Sequence, residues 1–277
     1  NYIILLFNCI LRIKKIIQQK NLIPIDNTFN RISLKFNNDR FFINIEKLNY
    51  LCQEKDTFGL IREIFFRNVY LKNLNLKNFN KFICFDIGCN RGIFSVIASK
   101  IFKFVICIDF QTKYNKCIDE IMSSNNQKNY EIINGIIGSL ELSEFKNKLG
   151  ENQRIINLNE LIKNKTKGEK IFLKIDIEGA ECELLDYLID NGVINDIEIL
   201  LVETHDHKIP ELVEPTARLR NKIKNKNLNN AYIFTDWCNG EIFGLKKINN
   251  IYNFTINVGG GKENAISLRN LTKVCQK

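Results

Sequence analysis

Asp86, Gly88, Asn90 and Gly92 alternate through Asp86-Ile87-Gly88-Cys89-Asn90-Arg91-Gly92, a segment with an apolar run, Phe82 to Phe85, directly before it. Directly after it come Ile93, Phe94, Val96, Ile97 and Ile101 with helical spacing. A strand that turns through glycines into a helix lets a ligand approach the backbone closely. A dinucleotide loop would need G-x-G-x-x-G, with the second glycine admitting a pyrophosphate. Here Asn90 holds that place, and the next glycine follows Gly88 by four residues instead of five. The missing G-K-[ST] excludes a Walker A loop. Asp109 lies 17 residues past Gly92, after the run Phe104 to Ile108. A carboxylate there can accept hydrogen bonds from both hydroxyls of a ribose and excludes a 2′-phosphate. Together the loop and Asp109 suit an adenosine that carries a small charged group in place of a pyrophosphate.

A second set of reactive side chains is Asp176, Glu178, Glu203 and His205. Removing a proton from an acceptor hydroxyl needs a base or a metal, and an imidazole titrates near neutral pH, so His205 is the candidate base. A divalent ion on Asp176, Glu203, Asp206 or a His is the alternative, though no specific ligand spacing assigns residues to it, and a solvated loop His is the third reading. Asp176 and Glu178 are the candidates to face the reacting group. Glu181 and Glu183 sit where the helix dipole favours acids whatever the function, and are read as no more than that.

The elements that must position these residues follow from the apolar pattern. Phe82 to Phe85, Phe104 to Ile108, Ile171 to Ile175 (interrupted by Lys174) and Ile197 to Val202 (interrupted by Glu198) read as buried parallel strands separated by helical stretches. Each is followed by an acid, namely Asp86, Asp109, Asp176 and Glu203, and ligands of open α/β sheets lie at the carboxyl ends of the strands. Ala231 to Thr235, Phe243 to Leu245 and Tyr252 to Val258 would complete a mixed sheet. Trp237, after the first of these, is read as core or as acceptor-pocket lining, and Gly259-Gly260-Gly261-Lys262 as a hairpin tip.

Phe172 to Leu185 read FLKIDIEGAECELL, and the nine positions Leu173 to Glu181 resemble the L-K-I-D-[VI]-E-G-A-E signature of the FkbM-type methyltransferases. Asp86-x-Gly88-x-Asn90-x-Gly92 resembles motif I of the class I S-adenosylmethionine-dependent methyltransferases, and Asp109 their ribose-binding acid. Ile155 to Leu161 and Ile199 to His205 resemble the family's segments before and after the signature. Asn159 stands where an Asp is usual, and Phe110-Gln111 where a Pro is common. The resemblance, spanning about residues 56 to 206, implies a Rossmann-like class I fold: a mostly parallel sheet, helices on both faces and an antiparallel last strand. It also implies S-adenosylmethionine as cofactor and methyl transfer to a hydroxyl oxygen of a sugar, glycan or secondary metabolite; the alternatives are a nucleic-acid methyltransferase and a non-catalytic module that binds an adenosine cofactor.

The N-terminal part reads as an extension over residues 1–80, with the catalytic domain at 81–277. A chain that begins at Asn1 is expected to be a processed form or a piece of something longer. Tyr2 to Leu11 is too short to span a bilayer and no small-residue cleavage site follows it. Ile3, Leu6, Ile10, Ile13 and Ile17 share a helical face, which either packs on the protein's own core or makes a peripheral membrane contact. A hairpin through Ile32, Leu34, Phe36, Phe41 and Ile43 is expected next, then a helix capped by Asp56 or Thr57 and running through Tyr70.

The net charge of +9 is concentrated at that end: residues 1–80 hold 13 Lys/Arg against 6 Asp/Glu, and residues 81–277 hold 27 against 25. Lys outnumbers Arg 30 to 10, whereas a phosphate-reading surface favours Arg, so nucleic acid is disfavoured as a partner. Nine scattered Cys without a C-x-x-C pair, beside only two His, support neither a disulfide framework nor a zinc finger. A reducing cytoplasm is the expected compartment.

Overall fold

The computed structural model describes residues 30–71, 74, 76, 77, 79–138, 154–206, 209–225, 232–237 and 240–246. The N-terminal amphipathic helix, His207, the Tyr252 to Val258 strand and the glycine run at 259–261 lie outside the described residues, as does the side chain of Trp237.

The hairpin forms as expected, with β1 (Arg31–Phe36) antiparallel to β2 (Asp39–Asn44). Asn44 caps helix α1 (Ile45–Cys52), its side chain accepting from the Lys47 N–H. The next helix is shorter than the sequence suggests. α2 (Thr57–Ile61) gives way to a single π turn over Arg62–Phe66, so Tyr70 lies beyond the helix instead of at its end.

The central sheet contains β3 (Phe82–Ile87), β4 (Phe104–Asp109), β5 (Tyr130–Asn134), β8 (Lys170–Ile175), β9 (Ile199–Thr204), β10 (Tyr232–Trp237) and β11 (Gly240–Lys246). Its spatial order is β10-β11-β9-β8-β3-β4-β5. The five strands from β9 to β5 are parallel, and β11 is inserted antiparallel to both β9 and β10. A two-residue parallel pair, β6 (Ile136–Ile137) with β7 (Ile155–Ile156), stands apart from it.

Alternation along each strand divides the core between the two faces. Phe82, Cys84, Val105, Cys107 and Phe172 pack with α3 (Ile93–Ile101) and α4 (Asn115–Ser124). Ile83, Phe85, Ile106, Ile108, Leu173 and Ile175 pack with α5 (Leu158–Thr166), α6 (Glu181–Asp190) and α7 (Val213–Asn225). The first cluster also takes in Phe36, Phe41, Ile43, Leu48, Phe65 and Tyr70, so hydrophobic contact runs without a break across residue 80. The fold is α/β with a mostly parallel sheet and helices on both faces. Among the described residues no helix is long and apolar enough to cross a membrane.

Candidate active site

Three of the four strand-end acids line one cavity, and the fourth lies beneath it. Asp86, near the end of β3, is fully buried; the Ser95 hydroxyl donates to it at 2.5 Å and the Lys174 ammonium lies 3.0 Å away. Asp86 therefore braces the loop from below instead of forming the cavity wall. Lys174, 3% exposed, also donates to the Gly88 carbonyl at 3.1 Å and approaches Asp176 at 3.5 Å. Burial pulls the ammonium's pKa down, but Asp86 and Asp176 outweigh it and hold it above its ordinary value.

Gly88, Asn90 and Gly92 all have positive φ, 73°, 49° and 78°, so the loop curls back on itself. The sequence suggests that Gly88 makes room for a donor. The nearer constraint is the protein's own backbone, because a Cβ at Gly88 would lie 1.7 Å from the carbonyl oxygen of Asp176. The loop is thus pressed against the end of β8. Asp109, 8% exposed, accepts the Asn90 N–H at 3.0 Å and the Gln111 N–H at 2.9 Å. Burial raises its pKa, and these amides only partly offset it. Each carboxylate oxygen retains lone-pair capacity toward the cavity. Arg91 turns to residues upstream, pairing with Glu54 at 2.7 Å and donating to the Lys55 carbonyl and the Cys52 sulfur.

The carboxyl ends of β8 and β9 carry the second group. Tyr70, 3% exposed, places its hydroxyl 3.0 Å from both Asp176 Oδ2 and Glu203 Oε2, so one hydroxyl proton serves two carboxylates. Burial, then the charges of Asp176 and Glu203, push the phenol's pKa well up. His205 is completely buried and does not line the cavity; it lies behind the carboxylates. Its Nδ1 faces Glu181 Oε1 at 3.1 Å, and its Nε2 faces Glu178 at 3.4 Å, Glu203 at 3.6 Å and Asp176 at 3.7 Å. Burial lowers the imidazole's pKa, but Glu181, Glu178 and Glu203 more than reverse it.

Glu181 corrects the reading of that residue as a helix-dipole acid. It is 0% exposed, accepts the His205 backbone N–H at 2.8 Å with Oε1, and accepts the Gly179 N–H at 2.7 Å with Oε2. It fixes the imidazole and the turn together. Lys174 and Tyr70 were likewise not identified from the sequence. Lys174 left a signal, a charge inside an otherwise apolar strand; Tyr70, 106 residues before Asp176, left none.

Gly88, Asn90, Asp109, Asp176, Glu178, Glu203 and Tyr70 line a single cavity of about 360 Å³, within the roughly 300–1,000 Å³ of small-molecule sites. Its remaining walls include Ile108, Phe110, Ile136 and Ile137 beside Asp109, and Leu60, Ile64, Phe94 and Ala180 elsewhere. The arrangement fits an adenosine-bearing cofactor: a close-approach loop, a ribose acceptor and apolar surface for a base. S-adenosylmethionine supplies an electrophilic methyl on a sulfonium when it binds at such a site.

No curated protein sequence matches the chain. Solved structures similar to it include a precorrin-6y C5,15-methyltransferase from Geobacter metallireducens (13% identity, 65% of this chain and 88% of that one, TM-score 0.38). Others are an rRNA methylase from Streptococcus thermophilus (14%, 67% and 96%, 0.38) and a putative methyltransferase from Streptococcus mutans in complex with SAH (12%, 60% and 88%, 0.38). Residues 42–232 match the family described as the methyltransferase FkbM domain. That match begins in β2, spans the glycine loop, Asp109 and the Asp176 to His205 cluster, and covers more than half of the chain, which therefore belongs to the FkbM family of S-adenosylmethionine-dependent methyltransferases.

Proposed function

We propose that this methyltransferase acts on a hydroxyl oxygen of a sugar, glycan or secondary metabolite. The observation that carries this reading is the convergence of Asp176, Glu178 and Glu203 on the cavity that also contains the glycine loop and Asp109. A hydroxyl becomes a competent nucleophile as its proton leaves, and carboxylates are the lining groups able to take that proton. Asp176 or Glu203 would take the acceptor's hydroxyl proton as its oxygen attacks. S-adenosylmethionine, held by the glycine loop and Asp109, would supply the methyl, its S–CH3 bonding pair leaving with the sulfur. Holding the two reactants at attack distance supplies most of the rate, and the base assists.

Among the described residues, Glu63, Asp109, Asp176, Glu178 and Glu203 outnumber Arg91 and Lys174 around the cavity, and both of these cations have acidic partners. This supports a neutral or cationic acceptor over a polyanion such as nucleic acid. The described cysteines, 52, 84, 89, 107, 117 and 182, are buried free thiols, which supports a reducing compartment such as the cytoplasm.

The test is a methyl-transfer screen with 13C-methyl-labelled cofactor against cell-extract fractions, with the carbon chemical shift of the transferred methyl telling an ether from a methyl on nitrogen or carbon. Label confined to nitrogen, carbon or nucleic acid overturns the reading. With the acceptor in hand, Asp176→Asn and Glu203→Gln should each lower turnover by about 100-fold or more while donor affinity changes little. Turnover within a few-fold of the parent in both would remove the base role.

Asp109→Ala should weaken S-adenosylmethionine and its demethylated product at least about tenfold, because a charge-assisted hydrogen bond is worth roughly 1.5–3 kcal/mol. The variant also frees the Asn90 amide that shapes the loop. Calorimetry showing unchanged affinity in a folded variant would take Asp109 out of the site.

A further inference from the structure

We propose that Asp176, Glu178 and His205 form a site for one divalent metal ion of the Mn2+ class, at the acceptor end of the cavity. The inference rests on the methyltransferase reading of the same cavity and adds to it the agent that activates the acceptor.

The donors come from three places in the fold: the residue after β8, the turn before α6 and the residue after β9. One ligand atom from each lies within 4.8 Å of the others. The distances from His205 Nε2 to the facing carboxylate oxygens, 3.4 Å to Glu178, 3.6 Å to Glu203 and 3.7 Å to Asp176, exceed the usual length of an N–H···O bond. The Glu178 and Asp176 distances are close to the edges of a coordination polyhedron, since ligands about 2.0–2.2 Å from an ion stand roughly 3.0–3.6 Å apart.

The imidazole is prepared for this task from its other side. Glu181, itself fully buried, holds Nδ1, which favours the tautomer with the proton on Nδ1 and a lone pair on Nε2. A carboxylate behind a histidine whose far nitrogen meets a cation is the outer-shell arrangement that orients metal-binding imidazoles. His205 is 0% exposed, so its orientation is set by packing, while Glu178, 71% exposed in its side chain, can close from the solvent side.

Charge balance points the same way. Among the described residues, Asp176, Glu178, Glu181 and Glu203 surround the His205 imidazole, and Lys174, 3.5 Å from Asp176, lies nearer to Asp86 at 3.0 Å. One imidazole with two carboxylates suits Mn2+ and similar ions better than Ca2+, which takes oxygen ligands alone. Three protein ligands leave positions open on the cavity side, where an acceptor hydroxyl would sit beside the cation and lose its proton at lower cost. Glu203, hydrogen-bonded to Tyr70, then remains as the proton acceptor.

The test is Mn2+ titration of the full chain, read by calorimetry and by electron paramagnetic resonance, with S-adenosylmethionine binding measured on the same samples. The expected result is one saturable Mn2+ per chain with nitrogen coupling in the pulsed spectrum. His205→Gln should abolish that coupling, and both it and Glu178→Gln should weaken Mn2+ at least about tenfold. Because Glu178 is exposed, its variant remains informative even if replacing the buried His205 disturbs folding. Absence of saturable Mn2+ binding by the parent, or affinity unchanged in Glu178→Gln and spectra unchanged in His205→Gln, overturns the site. Cofactor binding that persists in that case leaves the methyltransferase reading intact.

Discussion

A Gly88→Ala chain is expected to lose about 2–5 kcal/mol of stability and, with it, donor binding. Two costs combine. At φ 73° an alanine pays the left-handed penalty of roughly 1–2 kcal/mol. Its Cβ would also be 1.7 Å from the Asp176 carbonyl, a backbone atom that cannot rotate away, so loop and strand end must separate at a further cost of about 1–3 kcal/mol. In a domain of this size the sum lowers the melting temperature by on the order of 10 °C. Gly168→Ala is the control. Gly168 also has a positive φ, 86°, yet nothing lies within 4 Å of its added Cβ, so only the conformational penalty applies. Equal melting temperatures for the two variants would show that the contact between the loop and β8 is not tight.

The second large effect is expected at Lys174, which is 3% exposed. Lys174→Met removes the cation 3.0 Å from Asp86 and leaves a carboxylate that is 0% exposed with the Ser95 hydroxyl as its remaining short-range donor. Breaking a buried pair from one side costs about 3–5 kcal/mol, most of it the price of stranding the other charge. Removing both charges should cost much less. A double-mutant cycle with Asp86→Asn, read by chemical denaturation, should therefore show Lys174→Met/Asp86→Asn more stable than Lys174→Met alone. If the double variant is the less stable, the two residues do not act as a pair. Donor affinity provides a second readout, because Lys174 also holds the Gly88 carbonyl that shapes the loop.

Both effects concern contacts between segments far apart in the chain, and this marks the division between what could be read in the sequence and what could not. Period and turn chemistry are local properties. The buried runs ending at Asp86, Asp109, Asp176 and Glu203 therefore announced parallel strands and a common carboxyl edge, and Asp86 to Gly92 announced a strand, loop and helix. The hairpin at Ile32 to Ile43 was legible for the same reason. β5 was not, because Tyr130–Asn134 lies at the sheet edge, half-buried at every position, and shows neither a continuous apolar run nor a clean alternation. The end of α2 was also missed. Apolar spacing continues past Ile61, and only the packed structure selects the π turn that follows.

Within the site, the sequence by itself determined which acids stand at strand ends and that a glycine loop follows the first strand, since both depend on neighbours a few residues away. Tertiary structure alone decided their roles. It turned Glu181 inward onto His205, placed Tyr70 between Asp176 and Glu203, and set Asp86 beneath the cavity on Lys174. It also moved His205 from the cavity wall to a place behind the carboxylates. Each of these depends on burial and on partners tens of residues away. A carboxylate in water and a carboxylate paired in the core are the same residue in the sequence, and differ only in what the fold brings within about 4 Å.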